Sequence, residues 1–159
     1  MIGDFLGGLG ATPLAVALRT SLYAYPLVNA AHIAALATLF GSIVALDLRL
    51  LGVARSVPVQ PLAAFLPRIA AAGLGMALAT GALLFLVQPV DYARNPFFLA
   101  KIGLVALGAA HAILVHRSRG WQAVQSPLGI VTSRLRLSAA ASLAIWTTAI
   151  VAGRLIGFE

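Results

Sequence analysis

Cysteine is absent from this 159-residue chain, methionine occurs twice, and only four side chains are acidic: Asp4, Asp47, Asp91 and Glu159. The first absence excludes disulfides, thiolate metal sites and iron–sulfur clusters. With only Met1 and Met76 as soft sulfur donors, the chain is poorly equipped for copper(I). Charge of either sign is scarce. Charged residues make up 9% of the chain, against about 25% in a soluble domain, too few to cover a water-facing surface. The net charge of +7 comes from ten arginines and one lysine, Lys101. These cations fall between apolar segments, where membrane topology accounts for them, so no nucleic-acid partner is expected. No phosphate-binding loop, nucleophile elbow or HExxH signature is present.

What the chain does have is apolar length. Hydrophobic residues make up 61% of it and its mean hydropathy is +0.99, which marks an integral membrane protein in contact with a lipid bilayer. Four stretches reach the ~20 residues needed to cross a bilayer core: about 21–51, 68–87, 96–115 and 135–156. The expected fold class is all-α: an antiparallel, up-down four-helix transmembrane bundle over residues 21–156, preceded by a short interfacial segment, 1–20. Within that segment, Thr12-Pro13 reads as an N-cap followed by proline at the first helical position. The start Met1-Ile2-Gly3-Asp4 lacks a basic region, so no cleavable signal peptide is expected, and the first span serves as its own insertion signal. Residues 53–67, with Pro58, Pro61 and Pro67, read as a loop holding at most a short surface helix, and Trp121 as an interfacial anchor.

Arginine and lysine set the orientation. Seven cations (Arg49, Arg55, Arg68, Arg117, Arg119, Arg134, Arg136) flank the first and third connections; four (Arg19, Arg94, Lys101, Arg154) fall on the opposite side. The expectation is a multi-pass protein of the bacterial inner membrane with both termini on the periplasmic side. Gly73, Ala77 and Gly81 in the second span, and Gly108 and Ala112 in the third, have the four-residue spacing that lets helices approach closely in lipid. The same small-residue faces could serve a homo-oligomer or a larger membrane complex.

An ionisable side chain inside a span is a functional-site candidate by default. At 100° per residue, Tyr25, Asn29, His32, Leu36, Leu39, Ile43 and Asp47 share one face of the first span. Asp47 and Arg49 read as charges at its cytoplasmic end. His32 and Lys101 fall at similar depth in parallel spans, toward the periplasm, and Arg154 and Thr147 lie on the outer part of the fourth span. Tyr25, Asn29, His32, Lys101 and Arg154 are thus candidates for one outer cavity, closed by Asp91, Arg94 and Asn95. Such a cationic pocket suits an anionic or carbonyl-bearing guest: a b-type heme, ligated by His32 with its propionates on Lys101 and Arg154, or a quinone. His111 is the candidate second ligand, but it lies ten residues beyond Lys101, ~15 Å along the helix. His116, beside Arg117, reads as interfacial. The plain alternatives are an interhelical hydrogen bond for Asn29 and His32, and Lys101 and Arg154 reaching to the headgroups.

The segments Ser21-Leu22-Tyr23, Pro26, Asn29-Ala30-Ala31-His32, Gly41, Leu46-Asp47-Leu48-Arg49-Leu50-Leu51-Gly52, Asn95-Pro96-Phe97-Phe98, Lys101 and Gly153-Arg154 together resemble an uncharacterised family of small four-helix bacterial membrane proteins. More distantly, His32 followed by Gly41 is similar to the copper-resistance CopD-like proteins and the HemJ-type protoporphyrinogen oxidases. The HemJ resemblance implies a heme-associated role for His32 and a role for Lys101, without carrying over the enzymatic activity. The leading expectation is a binder of heme b or a similar redox cofactor, serving electron transfer or porphyrin-related redox chemistry. Its metal ligand is His32, with His111 as second candidate, and Asn29, Lys101 and Arg154 complete the site. The rivals are a non-enzymatic accessory or scaffold subunit and a transporter of copper or another small ion.

Overall fold

The computed structural model describes residues 2–158, and among them there are helices and no strands. Two short helices come first, α1 (Ile2–Gly10) and α2 (Pro13–Thr20). Thr12 caps α2 as its spacing predicts, its side chain accepting from the Ala15 amide. Arg19 ties this segment down by donating to the carbonyls of Gly10 and Val87.

The four long helices are α3 (Ala24–Leu51), α4 (Val59–Phe85), α6 (Pro96–His116) and α8 (Ser133–Leu155), joined through α5 (Pro89–Arg94) and α7 (Arg119–Gln125). All four are long and apolar enough to cross a membrane. Local chemistry sets their ends. Gly52 closes α3 at φ 104°, a left-handed conformation that glycine adopts without cost, and its amide bonds back to Arg49 and Leu48. Asn95 caps α6 from the Phe98 amide, with Pro96 in the first turn; Thr132 caps α8 from the Leu135 amide.

One boundary differs from the sequence expectation. Residues 59–67 are not loop but the first turns of α4, and Pro67 lies inside the helix. Proline there forfeits one backbone hydrogen bond. Val59 and Ala63, buried in the core beside Leu46 and Leu50, offset that loss.

The bundle is two tight pairs rather than a closed ring. α3 packs on α4 and α6 on α8, and the pairs meet along α3 and α8, whereas α4 and α6 scarcely touch. In the first pair a Cβ on Gly73 would fall 2.7 Å from the Leu39 amide nitrogen. That is the close backbone approach expected of the small-residue stripe. In the second pair Gly108 seats the Trp146 indole, with ring atoms 2.8 Å from where a Cβ would sit. We call the end where α3 starts and α8 finishes the terminal end, and the other the loop end. The best-packed core sits at the loop end, where α7 inserts Trp121 and Val124 among Leu46, Leu50, Leu135 and Ala139. Trp121 is therefore a core residue, 4% exposed, and not an interfacial anchor.

Candidate functional site

The expected terminal-end cluster forms only in part. His32 points from α3 to α4, its Nδ1 2.9 Å from the Thr80 hydroxyl, and its ring crosses Gly81, where a Cβ would come within 3.1 Å. Gly81 thus continues the small-residue stripe for a second reason: it clears space for an imidazole. The Lys101 ammonium faces the His32 ring within electrostatic range, and its side chain lies over Gly153 of α8 at 3.3 Å from the Cβ position. Arg154 does not join them; it is exposed, with its guanidinium 4.6 Å above the Phe158 ring. Thr147 is exposed as well. Asn95 is occupied as the α6 cap, and Asp91 lines a separate shallow pocket with Gly10 and Arg19. Asn29 is half-buried on α3. Tyr25 bonds the Tyr92 hydroxyl, and Tyr92 packs with Phe85 and Phe98 in an aromatic cluster. Burial and the neighbouring Tyr25 push the Tyr92 phenol above its ordinary pKa.

The main cavity lies at the other end. It measures about 570 Å³ and fills the space that the separation of α4 from α6 leaves above the α3–α8 seam. That volume falls within the range of small-molecule sites, ~300–1,000 Å³. Its walls are mostly aliphatic, with the indoles of Trp121 and Trp146 among them. These are the two tryptophans of the chain.

Four polar groups on the cavity wall form two rungs along α8. In one, His111 of α6 lies with its Nε2 2.9 Å from the Ser138 hydroxyl. In the other, Asp47 of α3 accepts a hydrogen bond from the Ser142 side chain. Ser138 and Ser142 are four residues apart, so the rungs are ~6 Å apart along the helix. Asp47 is not a surface charge at the helix end: it is 7% exposed, and among the described residues its Oδ2 is the buried side-chain oxygen or nitrogen without a hydrogen-bond partner. An unsatisfied buried polar atom is costly enough to call for an explanation.

At the loop-end edge stand His116, Arg68 and Arg117. His116 Nδ1 lies 2.7 Å from the Ala112 carbonyl, so that nitrogen carries the proton, which in a neutral imidazole leaves the lone pair on Nε2. Its ring packs against Trp121 with centroids 4.2 Å apart.

Of the five expected site residues, His111 alone lines this cavity; His32, Asn29, Lys101 and Arg154 do not. His32 and His111 each engage a hydroxyl partner of their own, Thr80 of α4 and Ser138 of α8. Among the described residues no group of three or more His, Asp or Glu side chains is arranged to hold a metal ion. Sequence reasoning missed Asp47, Ser138 and Ser142. The one signal for the last two was their four-residue spacing on α8, in register with Trp146.

Fold and site together define a multi-pass membrane protein with an internal, largely apolar cavity carrying a few hydrogen-bonding groups. The chain belongs to the family of unknown function DUF6644, whose model matches residues 4–159. No curated protein and no solved structure matches it.

Proposed function

We propose that this protein, in the bacterial inner membrane with its loop end toward the cytoplasm, binds a lipid-soluble redox cofactor of the quinone class in the loop-end cavity and serves electron transfer there. The observation that carries this is the cavity itself: apolar walls and two indoles for a flat ring, with the polar side chains of Asp47 and His111 on the wall for its two oxygens. The gap between α4 and α6 offers an isoprenoid tail a way out to lipid. Seven of eleven cations at the loop end support the orientation.

A b-type heme is the second reading, favoured by one feature. His116 keeps its Nε2 lone pair, as an axial ligand must, and the carbonyl on Nδ1 orients the ring as second-shell partners do. Arg68 and Arg117 at the same edge are of the charge that propionates need. His32 with Lys101 stays a candidate heme contact on the resemblance to HemJ-type proteins, which rests on His32, Gly41 and Lys101. A copper transporter finds no donor cluster among the described residues.

Purified protein, extracted with organic solvent and scanned for absorption, separates these. Near-stoichiometric quinone in the extract supports the first reading and a Soret band the second. Neither, after expression with ample heme and quinone, leaves the accessory-subunit role.

A further inference from the structure

The unpartnered Oδ2 of Asp47 says more about the ligand than the cavity alone does. Three features bear on it. The atom is buried in a side chain more than nine-tenths covered, on the wall of the cavity. The donor side of its environment is already spent, since the Ser142 hydroxyl is directed to the same carboxylate. At the neighbouring rung His111 Nε2 and Ser138 Oγ already bond each other. An ionised carboxylate accepts hydrogen bonds and donates none. A ligand presenting only carbonyl oxygens therefore meets an acceptor facing an acceptor at this position. A ligand presenting an O–H gives Oδ2 the hydrogen bond it lacks, and a charge-assisted one.

From this we infer that the cavity selects a hydroxyl-bearing ring, the hydroquinone form of a lipid-soluble quinone, which donates its O–H to Asp47 Oδ2. The inference rests on the loop-end cavity being the binding site. It adds the redox state of the ligand and names Asp47 as the specificity-determining residue. The same logic governs sites built around a particular hydrogen bond, which reject analogues that leave a buried group unpaired.

Trp121 and Trp146 both line the cavity and the chain has no other tryptophan, so intrinsic fluorescence reads occupancy directly. Full-length protein in lipid nanodiscs is titrated anaerobically at pH 8 with a short-chain hydroquinone, its quinone, and its dimethyl ether. The hydroquinone is expected to quench at a concentration roughly tenfold or more below the other two, as the loss of one hydrogen bond to a buried charge implies. In Asp47→Asn, whose amide both donates and accepts, the preference disappears or reverses. Equal affinities of the three ligands for the unaltered protein overturn the inference while leaving the site reading intact, as does an Asp47→Asn variant that keeps the preference. Should that variant not fold, the dimethyl ether decides alone, because it removes the O–H from the ligand side. Absence of quenching by any of the three overturns the site reading and the inference with it.

Discussion

Replacing Asp47 by leucine should make the ligand-free protein more stable while abolishing its response to ligand. Asp47 is 7% exposed and one of its oxygens is unpartnered. Leaving a buried polar group unsatisfied costs about 1–3 kcal/mol, and leucine, larger but with the same branching and no polar atom, removes that cost. Against this stands the lost bond from Ser142, about 1 kcal/mol for a hydroxyl that can turn instead to the Ser138 carbonyl one helical turn back. Leu46 and Leu50 on the same helix show that the surroundings accept aliphatic side chains. The net expectation centres on a gain of about 1 kcal/mol, or roughly 2–4 °C in thermal midpoint for a chain of this size. Midpoints would be measured in detergent with and without added hydroquinone: the unaltered protein is expected to rise with ligand, Asp47→Leu to start higher and stay flat. A variant that melts several degrees lower would refute the reasoning, since it would mean that the carboxylate is fully satisfied and holds the bundle together.

Four further outcomes are expected. Gly73→Leu should destabilise by more than 3 kcal/mol, beyond ordinary overpacking, because its Cβ would meet backbone atoms of Leu39 and Ala35 that cannot move aside; failure to purify as a monodisperse species is the readout. Gly81→Leu should break the His32–Thr80 hydrogen bond by pushing the imidazole off its seat, visible as a changed His32 side-chain nitrogen resonance, with the loop-end ligand affinity unaltered. Arg19→Ala should release α1 and α2, since the guanidinium bridges the Gly10 and Val87 carbonyls, and faster amide exchange over residues 3–20 than over α3 would show it. Tyr92 has its pKa raised in the fold by burial and by Tyr25, so its contribution to stability is full below the ordinary tyrosine pKa and is lost as pH rises through the folded value. Tyr92→Phe should therefore flatten the alkaline loss of thermal midpoint, and absorbance titration of tyrosinate should show one phenol ionising late.

Most of the architecture was legible from apolar length alone, because a bilayer demands it: the four spans, their order and the cap at Thr12 are as the sequence implies, save for the start of the second span. Which side of each helix faces the partner was harder to read. In a soluble protein the buried face differs from the wet one, but here lipid and core are both apolar, so leucines such as Leu114 and Leu137 face outward while alanines such as Ala35 and Ala139 face in. That is why Asp47 and Trp121 read as interfacial and turn out buried. Nothing in residues 53–67 announced that α7 would fold under α4 and hold Val59 and Ala63 in helix past Pro67. His32 and Lys101 lie within electrostatic range of each other, yet the larger cavity sits at the other end, where it depends on α4 and α6 standing apart. No helix periodicity encodes such a gap, because it is a property of pairing between helices far apart in the chain.

Location is the claim on which the rest depends, and photoaffinity labelling tests it most directly. A quinone carrying a small photoreactive group, irradiated with the protein in nanodiscs and then mapped by mass spectrometry, should label residues 109–116 of α6 or the segment around Ser138–Trp146 of α8, both on the cavity wall. Excess unlabelled quinone should abolish these adducts. Competed labelling around His32 and Lys101 instead would place the ligand at the terminal end, and labelling that no competitor reduces would contradict a dedicated site altogether.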